Sequence, residues 1–234
     1  MKKIINIITD INQFQDRVDE INGANSFESI KSVVSDIKQA LYDNKDNVAL
    51  CAPQIGEKLR LFVVKTAGAE ISGESRFKVF LNPLIVKKEG LHLSKETNLS
   101  FKDKKFIIPR SNEVHVAYQT IDGQIQSESY KGAYGEVVQQ MIEMLDGITL
   151  NDYGLEIDDD FEKASKADKE KIVEMYLNTL KLNSTNLNSE INNNSELSEM
   201  NKTIDFMSGV LTGDIKPVDE NGNIVDLTTK KEIK

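Results

Sequence analysis

The stretch Val48-Ala49-Leu50-Cys51-Ala52-Pro53-Gln54-Ile55-Gly56 marks the point where this 234-residue chain changes texture. Upstream of it the apolar residues follow a helical period. Ile4, Ile7, Ile8, Ile11, Phe14, Val18 and Ile21 predict an amphipathic helix ending near Gly23. Ser26 reads as an N-cap for a second helix, with Phe27, Ile30, Val33, Val34, Ile37 and Leu41 on its apolar stripe and an end near Asp43-Asn44.

From about residue 47 the texture is β. Leu61-Phe62-Val63-Val64, Phe77 to Leu81 and Leu84-Ile85-Val86 are short β-branched and aromatic runs, the last two punctuated by Asn82-Pro83. Ala67-Gly68 through Gly73-Glu74 reads as a loop. Phe106-Ile107-Ile108 and Val114 to Tyr118 predict further strands, and Asp122-Gly123 marks a hairpin turn. Alternation at Val114, Val116 and Tyr118 puts His115 on the opposite, solvated face. A helix over about 134–146 places Val137, Val138, Met141 and Leu145 inward and stops at Gly147. Helix, strands and helix together predict an α+β domain over 24–152, preceded by the helix in 1–23. A charged helix follows within 153–182, then an Asn/Ser-rich linker at 183–202. A small terminal segment, 203–234, carries a hairpin at Asn221-Gly222.

Composition narrows the function. With 29 Lys+Arg against 38 Asp+Glu the net charge is −9, which argues against a direct nucleic-acid partner. No apolar run is long enough to span a membrane. Asn6 and Asp10 interrupt the apolar start, so no secretory leader is expected. One cysteine, Cys51, excludes an internal disulfide and reads as a buried, inert thiol in a cytoplasmic setting. Two histidines, His92 and His115, leave little for imidazole chemistry.

The segment 48–56 resembles the first motif of the peptide deformylases, a Leu-Ala-Ala-Pro-Gln-Ile-Gly loop. Phe80-Leu81-Asn82-Pro83 resembles the family's Asn-Pro strand end, and Glu96-Thr97-Asn98-Leu99-Ser100 its second motif, Glu-Gly-Cys-Leu-Ser. Ile107-Ile108-Pro109-Arg110 and Asp122-Gly123 continue the match. Gln139-Gln140-Met141-Ile142-Glu143-Met144-Leu145-Asp146-Gly147 is similar to the third, Gln-His-Glu-x-Asp-His-Leu-x-Gly. The resemblance covers about 27–152 and implies antiparallel sheets packed around a helix.

It also implies which residues would act. The family holds a divalent metal with one Cys and two His, and a Glu moves the proton of the bound water. Those ligand positions are Asn98, Gln140 and Met144 here, and the acid/base position is Met141. Gln54 and the Leu99 backbone N–H match the donors to the substrate oxyanion, while Ala49 replaces a glycine of the first motif. Amides and thioethers are poor ligands for such an ion, so no catalytic, cofactor or metal residue is expected. Met141 and Met144 then read as packing residues, Asn98 and Gln140 as mutual or Gln54 hydrogen-bond partners, and Glu96 as an ion pair with Arg110. Glu143, Asp146 and His92 are the remaining candidates for a replacement site. The expectation that follows is a non-enzymatic structural subunit of a large assembly, such as a bacteriophage virion (tail or neck) component. It would be oligomeric and would join its protein partners through 153–234. Two alternatives are a metal-dependent deformylase-like amide hydrolase with unusual ligands and a peptide-binding module that uses the same cleft.

Overall fold

The computed structural model describes residues 5–22, 25, 27–66, 77–101 and 104–190. They divide into two compact units, Met1–Glu156 and Ile157–Lys234. The first is built on a five-stranded antiparallel sheet of order β1-β2-β3-β6-β7, from β1 (Ala49–Cys51), β2 (Leu61–Lys65), β3 (Phe77–Glu89), β6 (Glu113–Gln119) and β7 (Ile125–Lys131). A smaller sheet has the order β4-β5-β8, from β4 (His92–Glu96), β5 (Lys105–Arg110) and β8 (Leu155–Ile157).

Strand β2 explains why its sequence is apolar without alternation. Leu61 and Val63 face helix α1 (Phe27–Asp43), whose Ile30, Val33, Val34, Ile37 and Leu41 are buried with them. Phe62 and Val64 face helix α2 (Gly132–Leu145) and pack with Phe80, Val114, Val116, Val138, Met141, Ile142 and Leu145. A strand covered on both faces has no solvated side to leave polar. The Phe62 and Phe80 rings stack at 4.4 Å in the middle of this layer.

The two runs expected on either side of Asn82-Pro83 form one strand. Asn82 takes a left-handed φ of +48°, and the pairing of β3 with β6 shifts register between Leu81 and Leu84. A bulge lets proline sit in an inner strand, since no ladder N–H is needed from it there. The strand over His92–Glu96 carries no clear alternation in the sequence. It forms because β5 pairs with it from His92↔Arg110 to Glu96↔Phe106. Helix α2 ends one residue before the expected limit, and the hairpin at Asp122-Gly123 joins β6 to β7.

The expected N-terminal helix is corrected. Residues 5–22 form an extended strap with one short 3-10 turn, Ile11–Phe14, opened by Asp10 accepting from the Asn12 N–H at 3.1 Å. Its apolar residues are buried one by one along the domain. Phe14 enters the α2 side of the core, with Ile8 partly buried beside it, and Val18 is buried, while Ile5, Ile7 and Ile21 are partly buried on the α1 side. Three anchors use its backbone: Ile8 N–H to Gln54 O at 2.8 Å, Val18 N–H to Leu145 O at 2.9 Å, and Ile21 to Asn82. At the last, the Asn82 side chain both accepts (2.8 Å) and donates (2.7 Å), imitating a strand partner. Gly147, at φ +79°, lets the strap pass close, since a Cβ there would sit 2.8 Å from Gln15 O. Gly23, Ser26 and the loop from Ala67 to Glu74 lie outside the described residues.

Arg60, buried beside the end of α2, donates to Leu145 O (3.2 Å), Asp146 Oδ1 (2.7 Å) and Pro83 O (3.1 Å). A cation there satisfies the last carbonyl of the helix and opposes its dipole. The polar side of α2 faces the small sheet. Arg110, 1 % exposed at its side chain, donates to both Glu96 oxygens (2.6 and 2.8 Å) and to Glu143 (2.7 Å) and Tyr153 Oη (3.0 Å). Burial alone would lower its pKa, but Glu143, Tyr153 and Glu96 outweigh that and keep the guanidinium charged. His92 makes a second tie, its Nε2 meeting Glu136 and its Nδ1 meeting Asn112, both at 2.8 Å.

A short helix, α3 (Leu150–Tyr153), closes the first unit's helices. In the second unit, Asp158 caps another short helix, α4 (Asp159–Lys163), by accepting from the Phe161 N–H. Helix α5 then runs over Lys166–Glu190. The charged helix therefore runs past the expected limit of 182 and takes up the beginning of the expected linker. The rest of that linker and the segment 203–234 lie outside the described residues.

Three measurements test this packing. Arg110→Met leaves Glu96 and Glu143 without their cation, and urea unfolding should show a loss of about 3–5 kcal/mol. Asn82→Ala removes the strap's side-chain anchor and the residue best suited to the left-handed bend, for a loss of about 2 kcal/mol. His92 has a raised pKa through its hydrogen bond to Glu136, partly opposed by burial. Its stabilisation is therefore complete below the unfolded value of 6.5 and fades as the pH climbs through the folded one. The melting-point gap between the unmodified protein and His92→Gln should shrink from about pH 5.5 to about pH 9. A gap independent of pH would contradict the assignment.

Candidate functional site

The site gathers three segments. The first is the turn after β1. Ala52–Ile55 forms a 3-10 turn with Pro53 inside it, closed by Gly56 at φ +85°, a left-handed position that suits glycine. This turn points the Gln54 side chain inward, where it is 1 % exposed. The second is the turn after β4. Asn98 Oδ1 accepts the Ser100 N–H at 2.9 Å, an Asx turn that explains an asparagine locally, and Phe101 N–H closes back on Asn98 O at 3.0 Å. The third is α2, on which Gln140 and Met144 are one turn apart and share a face.

These segments meet through a chain of buried carboxamides. Gln54 Nε2 donates to Asn98 Oδ1 at 2.8 Å and to Ser100 Oγ at 3.2 Å. Asn98 Nδ2 donates to Gln140 Oε1 at 2.9 Å and to the Met144 sulfur at 3.2 Å. Gln140 Nε2 donates to Glu96 Oε2 at 2.7 Å, and Glu96 leads to Arg110. Gln54 Oε1 in turn accepts the Cys51 backbone N–H at 3.0 Å and its thiol at 3.4 Å. The structure thus brings Gln54, Asn98, Gln140 and Met144 together, with Asn98 bonded to both amides at once. Met141 turns away from this chain into the apolar layer between α2 and the large sheet. Leu99 packs on the α1 side, and Ala49 lies against the α2 side.

Other sequence candidates have separate employment. Glu143 accepts from Arg110 and from Tyr153 Oη (2.8 Å), and Asp146 holds Arg60. His92 is engaged by Asn112 and Glu136 and does not join the carboxamides. His115 bonds Ser127 and Ser129 across the outer face of the large sheet. Sequence reasoning missed Ser100, although it lies within the second motif, and Tyr153, for which the sequence carries no signal.

The donor set does not fit the ion that the resemblance implies. Asn98 and Gln140 are neutral and spend their donors and acceptors on each other, Gln54 and Glu96. Burial pushes the Cys51 thiol up to about 12, so it is not a thiolate at neutral pH. Among the described residues no cluster of three or more His, Cys, Asp or Glu could hold a metal. These side chains therefore support no reaction step routed through such an ion. Nor is any helix among the described residues long and apolar enough to cross a membrane.

Comparison with known proteins bears on what this arrangement is for. The model of the polypeptide deformylase family matches residues 2–158, so the N-terminal strap belongs to the family domain. A peptide deformylase of Desulfotalea psychrophila is 34 % identical over 126 residues, which cover 54 % of this chain and 73 % of that one. The crystal structure of a probable peptide deformylase from synechococcus phage S-SSM7 aligns with TM-score 0.58 at 26 % identity, covering 64 % of this chain and 99 % of that one. The Thermotoga maritima peptide deformylase aligns with TM-score 0.56 at 24 % identity, over 64 % of this chain and 97 % of that one, a likeness of fold.

These relatives overturn the expectation of a non-enzymatic structural or virion subunit, because they are enzymes by name and nothing in them points to a structural role. The side chains at Asn98, Gln140, Met141 and Met144 differ from those the resemblance implies, but the segments that place them are those of the family. With the family match extending over most of the chain and the three motif segments joined at one site, the chain belongs to the peptide deformylase family.

Proposed function

We propose that this protein binds the N-terminal end of a peptide and hydrolyses its terminal amide, as an amide hydrolase of the deformylase kind. One observation carries the reading: in a chain whose relatives are named peptide deformylases, the motif segments around Gln54, Asn98 and Gln140 are hydrogen-bonded into a single site. Gln54 is the side-chain donor for the substrate carbonyl, and the Leu99 backbone N–H is its partner. The Arg110–Glu96 pair holds the turn at 97–100 against α2 through Gln140. These residues bind and orient the peptide end, and Asn98, Gln140 and Met144 are assigned no ion.

The neutral donor set favours a second reading of the same cleft, in which an extended peptide end is held by strand addition and released unchanged. One experiment separates the two. Full-length protein is incubated with N-formyl-Met-Ala-Ser while released formate is measured, and binding is followed by calorimetry. Formate above the blank supports hydrolysis, binding without formate supports retention, and neither would sink both. Under the hydrolase reading Gln54→Glu, which keeps the acceptor and loses both donors, should lower kcat/KM by about 10²-fold. An unchanged value would remove Gln54 from the substrate site.

A further inference from the structure

A primary carboxamide has two donor hydrogens, and Gln54 spends both inside the protein. One goes to Asn98 Oδ1 at 2.8 Å and the other to Ser100 Oγ at 3.2 Å. Its oxygen is also engaged, by the backbone N–H and thiol of Cys51. Gln54 is 1 % and Asn98 8 % exposed, so water does not substitute easily for either partner. Of the two acceptors Asn98 is the fixed one. It is held at its other end by Gln140 and Met144, and its oxygen also takes the Ser100 N–H, whereas a serine hydroxyl turns freely.

We propose that Asn98 latches Gln54: the donor meant for a substrate carbonyl is occupied by the Asn98 side chain in the free protein, and a peptide end reaches Gln54 only by displacing it. Asn98 is thus a positioning residue that acts through Gln54. The proposal rests on the peptide-binding reading above and adds a cost to it, because binding and latch opening form one linked equilibrium. A ligand that binds only the open form shows an affinity reduced by the open fraction. Exchanging one buried neutral hydrogen bond for another sets that reduction at about three- to tenfold.

The test compares the unmodified chain with Asn98→Ser and Asn98→Ala. Serine can keep the turn bond to the Ser100 N–H but is too short to reach Gln54, so it guards against misfolding of the alanine variant. Two quantities are read: the affinity for N-formyl-Met-Ala-Ser by calorimetry, and hydrogen exchange of the Gln54 side-chain amide by NMR, assigned through loss of its signals in Gln54→Glu. The latch predicts about three- to tenfold tighter peptide binding by the serine variant, together with Gln54 amide protons that exchange slowly in the unmodified protein and at least about tenfold faster in the variant. Unchanged exchange overturns it, as does faster exchange with equal or weaker binding. If exchange accelerates but no form binds the peptide, the latch stands and the peptide-binding reading falls.

Discussion

A guanidinium shut away from water has to be surrounded by acceptors, and the placement of Arg110 organises this domain. It sits at the end of β5, takes both oxygens of Glu96 on β4, and reaches Glu143 on α2 and the Tyr153 hydroxyl beyond it. Four pieces of chain distant in sequence are thereby fixed to one charge. The apolar layers explain why the large sheet and its two helices associate. They do not explain the position of the small sheet, because the side of α2 that faces it is polar. A buried ion pair gives little net stability, but its partners have few alternative positions that satisfy the charge. From that anchor Glu96 accepts Gln140, Gln140 accepts Asn98, and Asn98 accepts Gln54.

What occupies the middle of the domain is a relay of neutral amides. Each carboxamide has a polar partner on both its nitrogen and its oxygen, so the relay costs little to bury. The same saturation decides its chemistry. Groups that are good hydrogen-bond partners for one another are not lone pairs waiting for a cation, and the protonated Cys51 thiol adds none. The family relationship therefore rests on the scaffold and on the segments that converge, while the donors at the convergence are of a different kind from those the resemblance implies.

The strands β2 and β6, helices α1 and α2 and the turn at Asp122-Gly123 could be read from period and turn chemistry, since each is set by which residues leave water. The pair Glu96–Arg110 and the mutual bonding of Asn98, Gln140 and Gln54 could also be read, because the motif order placed them side by side. The strap over 5–22 could not. Its isoleucines recur at a helical interval, yet Ile5, Ile7, Ile8 and Ile21 are partly buried by neighbours that lie far along the chain, and an extended segment can bury side chains at any spacing if the surface beneath it varies. Strand β4 was hidden for the opposite reason: His92, Ser94 and Lys95 carry little apolar signal, and pairing with β5 alone defines the strand. Function is not legible in four altered side chains, because the scaffold around them is, over most of the chain, that of the family.

By itself the sequence determined the family, the order of the elements and the identity of the amides at the site, because motifs and periodicity are local properties of a chain. Tertiary structure alone decided that Asn98 bonds Gln54 and Gln140 simultaneously, and that the N-terminal segment is a strap. Those outcomes depend on distances between residues about forty or more positions apart. Such distances are set by how sheets and helices pack, and no local preference of the chain encodes them.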